Sequence, residues 1–147
     1  MSLAMSRAER EAFLADTHVG IVSIAEEGRG PLAVPVWYRY APGGEVLFAT
    51  ADTSRKRRLL ERARRASLCV QTETPPYLYV SVEGPVTIER VDFERDTREM
   101  AVRYLGPQMG EAYLAMTYPH GTTSEVLVRL RPERWWSADF RKFTGAG

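Results

Sequence analysis

Apolar residues recur along this chain in short alternating runs, the period-two signature of strands with one buried face. The runs HVGIVSIA (18–25), PLAVPVWYRY (31–40) and EVLFAT (45–50) are rich in β-branched and aromatic residues and are separated by the turn-forming EEGRG and APGG. They predict three sequential antiparallel strands. ASLCVQTE (66–73) predicts a fourth. Beyond the Pro75-Pro76 break, YLYVSVEGPVTIER (77–90) predicts a long fifth strand, bent near Gly84 because an interior glycine marks a bend or a close backbone approach. SEVLVRLRPERWWSAD (124–139) sets Val126, Val128 and Leu130 against Leu127, Arg129 and Arg131, and reads as a sixth.

Between these runs the period changes to that of helices. Ser6 and Glu9 have the spacing of a capping box, which predicts a helix over 7–15. In TSRKRRLLERARR, Leu59, Leu60 and Ala63 share one helical face and the basic residues take the others, with Thr53 and Ser54 where an N-cap belongs. DFERDTREMAVRYL (92–105) places Phe93, Met100, Ala101, Tyr104 and Leu105 at helical spacing behind an Asp92 N-cap, and PQMGEAYLAM predicts a second helix opening at Pro107. Six strands mostly in meander order, with helices grouped between the fifth and sixth, predict a mainly β fold with flanking helices: an antiparallel barrel forming a single domain over 1–147.

Charge changes this picture at one place. The chain is nearly neutral at +1, yet seven of its twenty Lys and Arg residues lie between Arg55 and Arg65, against the single acid Glu61. A nucleic-acid binder usually spreads its basic field over a whole face; charge concentrated at the start of a helix, where free N–H groups and the positive dipole end converge, suits a small phosphate-bearing ligand. No apolar run is long enough to span a membrane. The opening MSLAMSRAER lacks the apolar core of a signal peptide and Cys69 is the only cysteine, so a cytoplasmic location is expected. With two histidines and no Cys/His cluster, no metal site is expected.

The order of motifs, from FLADTHVGIVSI through PVWYRY, FATADTSRKRRLLERARRASL and YLYVSVEGPV to VLVRLRPERWWSAD, resembles the split-barrel flavin-binding proteins related to pyridoxamine 5′-phosphate oxidase, in particular their actinobacterial deazaflavin-dependent branch. The resemblance implies a six-stranded split barrel of the FMN-binding type. It implies that Val34, Pro35, Val36 and Trp37 face the cofactor ring, and that Thr50, Thr53, Ser54, Arg55 and Lys56 meet the ribityl-phosphate. It implies a homodimer that brings Tyr77, Tyr79 and Trp136 to the site from across the interface, the cofactor being coenzyme F-420 or FMN. The aromatic run YLYVSV, hard to bury within one barrel, agrees with a dimer.

The chain departs from its relatives in two places. Pro35 and Trp37 stand where an asparagine, glutamine or serine often accompanies the ring, which leaves the ring's polar contacts to backbone groups. The C-terminal RKFTGAG lacks the Arg/His substrate signature of true pyridoxamine phosphate oxidases. His18 and His120 read as surface residues, Cys69 as a small buried hydrophobe, and no Ser/His/Asp pattern supplies a nucleophile, so no catalytic side chain is assigned. The expected function is hydride transfer between the bound cofactor and a small unsaturated substrate; the alternative is a non-catalytic flavin or haem carrier on the same fold.

Overall fold

A computed structural model describes residues 2–143 and leaves Met1 and the last four residues of RKFTGAG outside. The Ser6 hydroxyl accepts from the Glu9 N–H at 3.1 Å and the Glu9 carboxylate from the Ser6 N–H at 2.8 Å, so helix α1 (Arg7–Ala15) starts where the capping box predicts. Strands β1 (Val19–Ile24), β2 (Leu32–Trp37) and β3 (Val46–Ala51) follow, then α2 (Arg55–Ala63), β4 (Arg65–Gln71) and β5 (Leu78–Arg90). Phe93–Arg98 winds as a π-helix with Asp92 as its cap and leads into α3 (Glu99–Thr117). Gly106, at φ 83°, breaks α3 so that Pro107 opens its second arm, as the sequence predicts. None of the described helices is long and apolar enough to cross a membrane.

The sequence from Glu125 to Asp139 departs from expectation. It forms two strands, β6 (Glu125–Leu130) and β7 (Arg134–Asp139), because the turn at Arg131–Glu133 interrupts it and Pro132 there has no N–H for a ladder. The meander is also incomplete. The six-strand path runs β2-β1-β4-β5-β6-β3, with β7 paired to β5 off that path, so β3 joins β6 and leaves β2. The sheet curls until its end strands β2 and β3 meet at a single bridge, where Arg39 and Leu47 exchange two 3.0 Å backbone hydrogen bonds. This is the split barrel.

β5 holds it together. Its first half pairs with β4 on one edge and β7 on the other, and its second half pairs with β6. Cross-strand partners share a face. Val34, Val22, Leu68, Val82 and Trp135 therefore line up in register on the inner face, and Pro35, Ile21, Cys69, Ser81 and Trp136 on the outer. The inner row joins Leu14, Tyr38, Phe48 and Leu60 in one core. Tyr38 is fully buried, and its hydroxyl donates to the Leu14 carbonyl at 2.7 Å, tying α1 to the barrel. Cys69, expected in the core, lies half-buried in the outer row, where burial pushes its thiol pKa up.

Gly84 allows the two halves of β5 to part. A Cβ there would lie 1.7 Å from the Arg131 carbonyl oxygen, where the β6–β7 turn crosses the strand. The crossing is fixed by backbone bonds from Arg131 to Pro85 (2.9 Å) and from Glu133 to Glu83 (2.8 Å). Gly84→Ala must displace backbone, so it is expected to cost about 3 kcal/mol and lower the Tm by roughly 6–12 °C in a thermal melt.

Candidate functional site

The Ser54 side chain caps α2 by accepting from the Arg57 N–H at 3.1 Å, and Thr50, buried at the end of β3, lies 2.9 Å from the Ser54 hydroxyl. Leu59 and Leu60 are buried beneath the helix, which fixes its direction off the strand. Three of the basic residues that the sequence leaves facing only Glu61 find acids from elsewhere. Arg55 pairs with Glu26, Arg57 with Asp52 and Glu61, and Arg65 with Glu133, while Arg58 donates to the Thr53 carbonyl at 2.9 Å. Thr53 and Arg55 are exposed. Among the described residues Lys56 has no ion-pair or hydrogen-bond partner, and it is the member of the cluster that lines a cavity.

That cavity, about 230 Å³, lies between β2 and the helical segment that follows β5. Pro35, Val36 and Trp37 form one wall, Ala49 and Lys56 the side, and Thr97, Met100, Ala101 and Tyr113 the cover, with Asp96, Tyr118 and Glu125 completing it. Of the sequence-predicted residues it brings together Pro35, Val36, Trp37 and Lys56. Val34 packs on the core and lies outside the cavity lining, although it shares its strand face with Val36, which belongs to both core and wall.

Two interactions hold the cover in place. Trp37 stacks on Tyr104 at 4.9 Å and 4°. The Tyr104 hydroxyl accepts from the Tyr38 N–H at 2.9 Å and turns its proton toward the carbonyls of His18 (2.6 Å) and Tyr38 (2.9 Å). Asp96, 2% exposed, accepts from Arg39 at 2.5 Å, twice from Arg95 at 2.9 Å, and from the Asp92 N–H at 2.8 Å. Burial raises the Asp96 pKa, but the Arg95 and Asp92 hydrogen bonds and the two guanidinium charges outweigh it and hold the carboxyl below its ordinary value. Both of its oxygens are saturated, so Asp96 anchors the cover to the β2 end of the barrel.

Tyr77, Tyr79 and Trp136 lie apart from the cavity walls, on the exposed outer sheet face with Val19 and Ile21. In the Trp135-Trp136 pair the first ring packs against the core and under Arg10, while the second stands 53% exposed. His18 is less superficial than expected: half-buried against Phe13, its Nε2 donates to the Phe13 carbonyl at 3.0 Å. His120 is exposed. Among the described residues no group of three or more His, Cys, Asp or Glu is placed to hold a metal.

Sequence reasoning missed Asp96, Thr97, Tyr113, Tyr118 and Glu125, which read as ordinary residues of the two helices after the fifth strand, the loop beyond them and the start of the sixth strand. One signal was available: in DFERDTREM the spacing that puts Phe93 and Met100 on one side places Asp96 and Thr97 between them, toward the barrel.

The sequence matches the pyridoxamine 5′-phosphate oxidase family over residues 6–139. Among solved structures it is similar to a conserved hypothetical protein, Rv2991, from Mycobacterium tuberculosis, at 24% identity and TM-score 0.79, covering 99% of this chain and 92% of that one. An F420 reductase is 20% identical with TM-score 0.70, covering 86% of this chain and 94% of that one. A FAD-binding protein from Mesorhizobium loti is 20% identical with TM-score 0.64, covering 91% and 94%. At these identities the likeness establishes a shared fold. No curated protein matches the sequence.

Asp96→Asn exchanges an acceptor for an amide N–H facing two guanidiniums, and is expected to cost about 3 kcal/mol. A carboxyl with a depressed folded pKa contributes fully above its unfolded value near pH 3.9 and loses that contribution as pH falls through the folded one. Thermal melts from pH 8 to pH 3 should therefore show a constant gap between wild type and variant above about pH 5, closing under acid.

Proposed function

The chain belongs to the pyridoxamine 5′-phosphate oxidase family, and from that premise we propose that it binds a flavin-type cofactor at the cavity beside β2 and serves as an oxidoreductase. The observation that carries this reading is Lys56: with its neighbours Arg55 and Arg57 paired to acids within the fold, it stands at the start of α2 on the wall of the cavity with no partner among the described residues. The residues fit such a group. Pro35, Val36, Trp37, Met100 and Ala101 offer an apolar bed for a planar ring, and Lys56 with the first-turn N–H groups offers the anion contact. The shared fold with an F420 reductase and a FAD-binding protein supports the same class of cofactor.

When bound, such a cofactor supplies hydride transfer to or from a small unsaturated substrate. The side chains bind, orient and exclude water. Lys56 holds the phosphate at one end; Trp37, backed by Tyr104, and Tyr113 wall the ring from solvent; Asp96 fixes the cover and takes no proton. Coenzyme F-420 is preferred to FMN on one feature. Arg62 and Arg64, exposed and unpaired farther along α2, suit an extended carboxylate tail, whereas the single FMN phosphate needs no cation beyond Lys56. The outer sheet face is the proposed homodimer interface. It presents Val19, Ile21, Tyr79 and Trp136 as one apolar surface.

Three measurements test this. Lys56→Ala should weaken FMN or F-420 binding by roughly one to two powers of ten in a fluorescence titration, while Arg64→Ala leaves FMN binding nearly unchanged and lowers only the F-420 affinity, by the smaller factor its tail contact supplies; no loss from Lys56→Ala removes the phosphate site. Wild type should scatter light as a dimer and Trp136→Glu as a folded monomer, since a charge cannot be buried unpaired at an apolar contact. Reoxidation of the reduced holoprotein by an unsaturated acceptor separates a reductase from a carrier of the same cofactor.

A further inference from the structure

The Thr97 hydroxyl has no part in the interactions that hold the cover. Thr97 lies in the π-helical turn Phe93–Arg98, is 8% exposed, and lines the cavity. Its Oγ1 has no hydrogen-bond partner, not even the back-bond to a preceding carbonyl that helical threonines commonly make. A buried hydroxyl left this way destabilises the fold, and π-helical turns occur frequently at functional sites. On the cover around it the acidic and phenolic groups are already engaged: the Asp96 oxygens are saturated, and the Tyr118 hydroxyl donates to Glu125 at 2.8 Å. Across the cavity β2 offers Pro35, Val36 and Trp37, whose side chains make no hydrogen bond in the structure.

We propose that the Thr97 hydroxyl supplies the hydrogen bond that orients the polar edge of the cofactor ring, an inference that rests on the cofactor reading above. Oγ1 is sealed from solvent as it stands. A helical threonine has two accessible χ1 rotamers, so a turn about χ1 is the movement by which the hydroxyl would meet a ring bound in the cavity that Thr97 lines. The hydroxyl is thus a cost to the empty protein that a bound ring converts into a contact, and the two states respond to its removal with opposite signs.

Thr97→Val keeps the shape and deletes the hydroxyl. Wild type, Thr97→Val, Thr97→Ser and Lys56→Ala are titrated by fluorescence with riboflavin and 7,8-didemethyl-8-hydroxy-5-deazariboflavin, which carry the two rings without phosphate, and with FMN and coenzyme F-420; each protein is also melted without ligand. Thr97→Val is expected to weaken both members of the pair that binds by the same factor, about 5-fold, with a ligand-free Tm equal to or above wild type. Thr97→Ser should restore affinity, and Lys56→Ala should affect only the phosphorylated ligands. Unchanged ring affinity in Thr97→Val overturns the role of Thr97 and leaves the cofactor reading standing. A lower ligand-free Tm accompanying the loss marks a structural role and overturns it as well. Failure of wild type to bind any of the four overturns both.

Discussion

The architecture depends on one backbone crossing. At Gly84 the carbonyl of Arg131 occupies the place a side chain would take, and the turn between β6 and β7 passes directly over β5. This close approach lets two consecutive strands attach to different halves of the same partner, β6 beyond the crossing and β7 before it. The register of β7 follows, and with it the separation of Trp135 into the core from Trp136 on the outer face. Without the crossing, Glu125 to Asp139 would run on as one strand, and β5 would lack a second neighbour for its first half.

Local chemistry made much of this legible. The capping box, the Ser54 cap, the Pro107 arm and the bend at Gly84 each follow from residues a few positions apart, and the resemblance added the split barrel. Features set by distant residues were not legible. Nothing near β3 shows that it abandons β2 for β6, and nothing near α2 shows that Glu26 and Glu133 reach its arginines. The same holds for the site. Strand β2 and Lys56 are recognisable in sequence because they carry the motif, whereas Asp96, Thr97 and Tyr113 gain meaning only when the segment after β5, which carries them, folds back over β2.

The electrostatics of α2 show why a basic run is an unreliable guide until its partners are known. Three of the seven basic residues are spent on binding the helix and the start of β4 to their surroundings: Arg55 reaches the β1–β2 turn, Arg57 the end of β3, and Arg65 the crossing turn. Exposed pairs of this kind contribute little energy each. They matter by removing competitors, so that the positive field at the cavity comes from Lys56 and the helix terminus. Asp96 works the other way, drawing two guanidiniums away from the cavity so that its own charge is cancelled inside the wall.

The seam between β2 and β3 gives the molecule two tiers of cooperativity. The first half of β5 is paired along both edges, so its amides open only when the barrel as a whole comes apart. β2 is paired along one edge and joined to β3 through the Arg39–Leu47 bridge alone. Local opening draws on few contacts there, which places the seam at the low end of the range of opening free energies within a domain. Because β2 is also a wall of the cavity, with Val36 shared between wall and core, opening at the seam reshapes the cavity before it reaches the doubly paired half of β5.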